Sequence, residues 1–140
     1  MENLKLIIKN KTEQLEQVQA FIEEAAESWS LKPALVFELN LILEEYLTNL
    51  ISYGYSDKAE HLINIEITHL QTEVRLLITD EAGPFDLNEV PENEEIDKPL
   101  AERKIGGLGI HFIKKLADKL EYSSDGGINR LTVSKYISLP

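Results

Sequence analysis

The stretch 37–55, FELNLILEEYLTNLISYGY, decides how the rest of the chain is read. At about 100° per residue, Leu35, Leu39, Ile42, Leu43, Tyr46, Leu47 and Leu50 fall in one broad arc, the core stripe of an amphipathic helix. Glu38, Glu45, Asn49 and Ser52 form a narrow polar seam along one border of that arc. Glu45 and Asn49 are one turn apart, so they project from the same face where the helix dips into the core. Glu44 points about 100° away and reads as a solvated acid. A carboxylate and a carboxamide stacked at a core boundary either make structural hydrogen bonds or hold a ligand.

Working outward, Pro33 is placed to open this helix and Gly54 to end it. Upstream, Leu4, Leu6 and Ile8 alternate with polar neighbours over Asn3 to Lys9, a strand. Asn10 or Thr12 can cap a first helix from about Lys11 to Trp29, whose stripe is Leu15, Val18, Phe21, Ile22, Ala25 and Trp29. Downstream, Ile63, Ile65 and Ile67, then Val74, Leu76 and Ile78, alternate across a turn near Gln71, which predicts an antiparallel hairpin. Its second strand ends in Asp80-Glu81-Ala82-Gly83-Pro84-Phe85.

Periodicity then lapses over Asp86 to Lys104, which holds Pro91, Pro99 and the acidic run 92–95 and reads as a long loop. Gly106-Gly107-Leu108-Gly109 leads into a third helix with Leu108, Phe112, Ile113, Leu116 and Leu120 expected inside. Two strands close the chain, about Leu120 to Ser123 and Asn129 to Ile137, joined at Asp125-Gly126-Gly127, a strong hairpin signal. The pattern βααββ-loop-αββ predicts an α+β fold, a two-layer α/β sandwich with a mostly antiparallel sheet and helices on one face.

A chain of 140 residues fits one domain, 1–140. With no cysteine, disulfides, thiol catalysis and cysteine-bound metals are excluded. No apolar run approaches membrane-spanning length and no cationic leader opens the chain, so a soluble, cytoplasmic protein is expected. The net charge of −11 repels nucleic acid and anionic lipid, leaving proteins and small molecules as the expected partners. An anionic ligand would need positive potential supplied at its own site. The histidines at 61, 69 and 111 show no ligand spacing.

Three segments carry candidate chemistry. Glycines entering a helix let backbone N–H groups approach an anion, so KIGGLGI at 104–110 is a plausible phosphate cradle, with Arg103 and Lys104 beside it. The same glycines could simply serve a sharp turn. No Gly-Lys-Ser/Thr follows and no strand precedes, which excludes a Walker A loop and a Rossmann fingerprint. Asp80 reads as a turn-forming aspartate or as a ligand contact. A helical Glu-x-x-x-Asn, a strand-ending Asp with a glycine turn, a long loop and Gly-Gly-Leu-Gly at a helix mouth, in that order, are improbable by chance.

EEYLTN at 44–49, DEAGPFD at 80–86 and GGLGI at 106–110 resemble the N box and the two glycine boxes of the GHKL ATPase superfamily, the Bergerat ATP-binding fold. The likeness covers nearly the whole chain and is nearest to the bacterial anti-sigma-factor serine/threonine kinases of the RsbW and SpoIIAB type. It implies that Asn49 binds the Mg²⁺ bridging the phosphates of ATP and that Glu45 is the general base toward an attacking hydroxyl. It further implies Asp80 as the acceptor for the adenine amino group, with the turn at Gly83 beneath the base. Residues 86–104 would be the ATP lid, Gly106, Gly107, Leu108 and Gly109 the phosphate cradle, and Arg103 or Lys104 a contact to the terminal phosphate. Thr132 would place a hydroxyl near adenine.

One departure stands out: the family's Asp-x-Gly is here Asp80-Glu81-Ala82, with glycine displaced to Gly83. The resemblance implies a kinase and anti-sigma factor whose partners are a STAS-domain anti-anti-sigma protein and a sigma factor, and a homodimer. Ala82 and the acidic lid leave open a second class, a nucleotide-dependent binding module that sequesters a regulator without useful catalysis. A detached histidine-kinase ATPase domain is the weaker third reading, because no helical hairpin with a phosphorylatable histidine precedes the ATP motifs.

Overall fold

The computed structural model describes residues 2–85 and 107–137, with residues 107–110 by backbone alone. The elements are β1 (Glu2–Lys9), α1 (Leu15–Trp29), α2 (Pro33–Tyr53), β2 (Leu62–His69), β3 (Glu73–Asp80), α3 (Gly107–Leu116), β4 (Lys119–Asp125) and β5 (Ile128–Tyr136). A short 3-10 turn, Thr12–Gln14, leads into α1. The five strands lie in the order β1-β2-β3-β5-β4, and every neighbouring pair is antiparallel. This is the expected two-layer α+β sandwich.

Alternation sets the sheet's inner face. Ile63, Ile65 and Ile67 of β2 stand in register between Ile8, Leu6 and Leu4 of β1 and the inward residues of β3, and all three are fully buried. Leu39, Ile42, Leu43 and Leu47 of α2 are likewise fully buried, as the stripe predicted. Burying each such side chain stabilises the fold by about 1.5–3 kcal/mol. The β4–β5 turn is Gly126-Gly127, with φ of 60° and 79°, a backbone that favours glycine at both positions.

The polar seam of α2 divides in two. At one end Lys135, on the inward face of β5, donates to Glu38 Oε2 and to the Leu116 carbonyl, both at 2.6 Å, tying α2, α3 and β5 together. At the other end lie Glu45 and Asn49, half-buried, while Ser52 is exposed.

Four local expectations change. Asn10 caps no helix; its Oδ1 accepts the His61 N–H at 2.8 Å and pins the end of β1 to the entry of β2. Phe112 is 41% exposed, so of the helical stripe among residues 111–116 Ile113 is the fully buried member. Leu120 belongs to β4, because α3 stops at Leu116. Gly54 ends α2 in right-handed backbone (φ −78°), so sterics and not handedness call for glycine there. A Cβ at Gly54 would lie 2.6 Å from the Leu50 carbonyl oxygen and 3.1 Å from the Ala82 methyl.

Candidate functional site

The last two turns of α2, the end of β3 and the start of β5 meet in a narrow cleft. Its lining includes Tyr46, Asn49, Asp80, Gly83, Tyr122 and Asn129. Asn49 from one sequence motif and Asp80 and Gly83 from another therefore share one site. Glu45 sits one turn before Asn49 on the same helix face, at the margin of this cleft and not in its lining.

Asp80 is the centre of the cleft and is 2% exposed. Its Oδ1 accepts the Ala82 N–H at 2.9 Å and an Asn129 Nδ2–H at 2.8 Å. Its Oδ2 is buried and has no partner among the described residues. An unmatched buried carboxylate oxygen costs about 1–3 kcal/mol or more, so its place at a binding cleft calls for a donor. The amino group of a purine would supply one, so the hydrogen-bonding chemistry of the cleft matches adenine. Burial pushes the Asp80 carboxyl above its ordinary pKa, partly opposed by hydrogen bonds from Asn129 and Ala82.

Asn49 donates from Nδ2 to the Glu45 carbonyl at 2.7 Å, a bond back along its own helix. That leaves Oδ1 as the outward end, a neutral oxygen of the kind that suits Mg²⁺ when phosphates and water complete its shell. Among the described residues no cluster of three or more His, Asp or Glu could hold a metal by itself. Burial, and secondarily the Glu44 carboxylate, raises the pKa of Glu45, the direction a general base needs to work near neutrality.

Ala82 is 6% exposed, and its methyl faces Gly54 across the turn, where Gly83 N–H also donates to the Gly54 carbonyl at 2.9 Å. The methyl that departs from Asp-x-Gly is thus absorbed by a glycine opposite it, and the cleft is lined by Gly83 instead.

The family resemblance puts Thr132 near the adenine. The structure does not bring it there. Thr132 is out of phase with Asn129, Leu131 and Val133 and stands on the outer sheet face, level with Leu77 and Glu121. The β5 residue in the cleft is Asn129, 2% exposed, held by Ser124 Oγ–H at 2.6 Å and donating also to the Ala82 carbonyl at 2.7 Å. Its signal was available: an asparagine at an inward strand position, in phase with Leu131 and Val133. Tyr122, whose hydroxyl accepts the Phe85 N–H at 2.8 Å, was also missed.

Arg103, Lys104, Gly106 and the whole of the expected lid, 86–104, lie outside the described residues, as do the side chains at 107–110, Leu108 among them. The backbone of Gly107, Leu108 and Gly109 forms the first turn of α3. Lys135 joins the C-terminal end of α3, through the Leu116 carbonyl, to Glu38 of α2.

Residues 8–135 match the family model described as the histidine kinase-like ATPase domain. The chain belongs to that family. Similar curated proteins include the anti-sigma F factor of Bacillus cereus strain ATCC 14579, 29% identical over 89% of this chain and 88% of that protein. The anti-sigma F factor of Bacillus cereus strain G9842 is 30% identical over 72% of this chain and 69% of its own length. The serine-protein kinase RsbW of Halalkalibacterium halodurans is 23% identical over 97% of this chain and 84% of its own length. The fold is similar to the crystal structure of the RsbU and RsbW domains of Rv1364c from Mycobacterium tuberculosis, with a TM-score of 0.66 at 13% identity. This chain is covered completely and spans 34% of that larger one. Larger cavities, about 280 Å³ between α1 and α2 and about 430 Å³ beside Trp29 and Lys135, contain no comparable unmatched acid. No helix among the described residues is long and apolar enough to cross a membrane.

Proposed function

We propose that this chain is a Mg²⁺- and ATP-dependent serine/threonine protein kinase that doubles as an anti-sigma factor, and that 1–140 is a single nucleotide-binding domain. The observation that carries the reading is the buried, unmatched Oδ2 of Asp80 in a cleft shared with Asn49, in a chain of the ATPase-domain family. The names of the relatives, anti-sigma F factor and serine-protein kinase RsbW, supply the biological class. In this scheme Asp80 accepts from the adenine amino group and Gly83 lets the base lie against the backbone. Asn49 contributes one oxygen to Mg²⁺, which neutralises charge on the phosphates when bound. Glu45 takes the proton from a seryl or threonyl hydroxyl of the partner.

The start of α3, with Arg103, Lys104, Gly106, Gly107 and Gly109, holds the phosphates, and 86–104 covers them. The partners are a STAS-domain anti-anti-sigma protein and a sigma factor; the working form is a homodimer in the cytoplasm, and nucleic acid is not a ligand. The reading as a binding module without catalysis rests on Ala82 and the acidic lid, and the burial of the Ala82 methyl against Gly54 weakens the first of these grounds.

The test is to incubate the protein with radiolabelled ATP, Mg²⁺ and the STAS protein encoded beside it. Phosphoserine or phosphothreonine should appear on the STAS protein. Glu45→Gln should lower that rate by about 10²–10⁴-fold while retaining ATP binding. Tight ATP binding with no transfer by the native chain would sink the kinase assignment.

A further inference from the structure

We propose that Asn129, anchored by Ser124, aims Asp80 at the purine and so sets the preference for a 6-amino over a 6-oxo purine nucleotide. This deepens, and rests on, the reading of the cleft as an ATP site.

The geometry is a relay of three side chains. Ser124 Oγ–H donates to Asn129 Oδ1 at 2.6 Å, so the amide nitrogen faces the other way. Its two N–H groups are then both used, one on Asp80 Oδ1 at 2.8 Å and one on the Ala82 carbonyl at 2.7 Å. Asn129 thereby clamps both ends of the turn Asp80-Glu81-Ala82, whose own Asp80 Oδ1 to Ala82 N–H bond measures 2.9 Å. With Oδ1 committed twice, Oδ2 is the oxygen left to read a ligand.

Orientation matters because every group facing the Asn129 nitrogen is an acceptor. A flipped amide would set its carbonyl against the Asp80 carboxylate and the Ala82 carbonyl, so those two acceptors hold the nitrogen toward Asp80, while the Ser124 hydroxyl anchors the amide oxygen at the other end. Held this way, Asp80 presents a fixed acceptor. A 6-amino purine offers it a donor, whereas a 6-oxo purine sets acceptor against acceptor in a buried site. Sites built to hydrogen-bond one group reject an analogue lacking it far more strongly than sites reading shape alone. With its amide oxygen on Ser124 and its two N–H groups on Asp80 and Ala82, Asn129 acts through Asp80, as a positioning residue.

The experiment compares binding of ATP and inosine triphosphate, each with Mg²⁺, to the native protein, Asn129→Ala and Ser124→Ala by titration calorimetry. The native protein should prefer ATP by at least about tenfold. In Asn129→Ala the preference should fall to within about threefold, chiefly through weaker ATP binding, and Ser124→Ala should show a smaller loss in the same direction. A general loss of stability lowers both affinities together and leaves their ratio unmoved. A native protein that binds neither nucleotide removes the ATP reading itself. A native preference that persists in full in Asn129→Ala overturns this inference alone. Should Asn129→Ala fail to fold, Ser124→Ala decides, since Ser124 is exposed: an unchanged ratio there overturns the relay.

Discussion

Asn49 Nδ2 donates to the main-chain carbonyl of Glu45 at 2.7 Å. The two polar groups that stand side by side on α2 are therefore coupled through the backbone. The bond fixes which end of the carboxamide looks outward and leaves that end an oxygen. Asn49→Ala should abolish the Mg²⁺-dependent part of ATP affinity, read by calorimetry with and without a chelator. Asn49→Asp adds charge but cannot donate to Glu45, and should cost about 1 kcal/mol of stability. An unchanged Mg²⁺ dependence in Asn49→Ala would rule out the metal role.

The Gly54–Ala82 contact gives a reciprocal pair of outcomes. Gly54→Ala drives a methyl against the Leu50 carbonyl and the Ala82 methyl, and should cost about 1–3 kcal/mol with weaker ATP binding, because Gly54 also accepts from Gly83. Ala82→Gly should cost about 1 kcal/mol through lost packing and added chain freedom, with ATP affinity changed less than about threefold. Thermal melts and nucleotide titration check both. A large gain in ATP affinity from Ala82→Gly would show that the methyl does obstruct the site.

Lys135 is nearly buried, and its ammonium is satisfied by Glu38 and the Leu116 carbonyl. Removing it strands a half-buried carboxylate and a helix-end carbonyl, so Lys135→Ala should destabilise by about 2–4 kcal/mol. Lys135→Met with Glu38→Leu should recover most of that loss, since apolar replacement of a whole buried pair is often neutral. Denaturant unfolding of the single and double variants measures the difference. A double variant no more stable than Lys135→Ala would contradict the ion-pair account.

The raised carboxyl of Asp80 has a definite sign in stability against pH. Burial makes the native state hold this proton more tightly than the unfolded chain does. The group's stabilising contribution is complete below the unfolded aspartate pKa and is lost as pH rises through the raised native value. Tyr46, Tyr55 and Tyr122 lie around it; burial and nearby acids push the first two hydroxyls up, so they stay neutral across this range. Glu81, next in the chain, is exposed, and Glu45 shifts in the same direction for its own reasons. The difference between the native protein and Asp80→Asn isolates Asp80. Relative to Asp80→Asn, the native melting temperature should rise as pH falls from neutral toward 4. A difference that is flat or opposite in sign would show that Asp80 is not held in an unfavourable ionised state.

The fold was legible because its periods are unambiguous. Isoleucines at 63, 65 and 67 can satisfy only a strand with one buried face, and Leu39, Ile42, Leu43, Tyr46 and Leu47 only a helix lying on it. The site was legible as far as single residues carry their own signal: Asn49, Asp80 and Gly83 do meet. What escaped depends on neighbours distant in sequence. Asn129 reaches Asp80 across 49 positions, and only the β3–β5 register puts them opposite one another. Thr132 was assigned by likeness to a motif, and a strand alternates so strictly that an odd offset from Asn129 sends it to the other face. That Ala82 could be accommodated was unreadable without Gly54, which the chain brings alongside through the end of α2.

The central claim is that Asp80 seats the adenine of ATP. Titration calorimetry of ATP with Mg²⁺ into the native protein and Asp80→Asn, with melting curves of both at pH 7, tests it most directly. The native chain should bind one ATP per domain, and Asp80→Asn should bind at least about tenfold more weakly while melting no lower, since it removes a buried charge. Equal ATP affinity in the two proteins, or no binding by the native chain, would contradict the account.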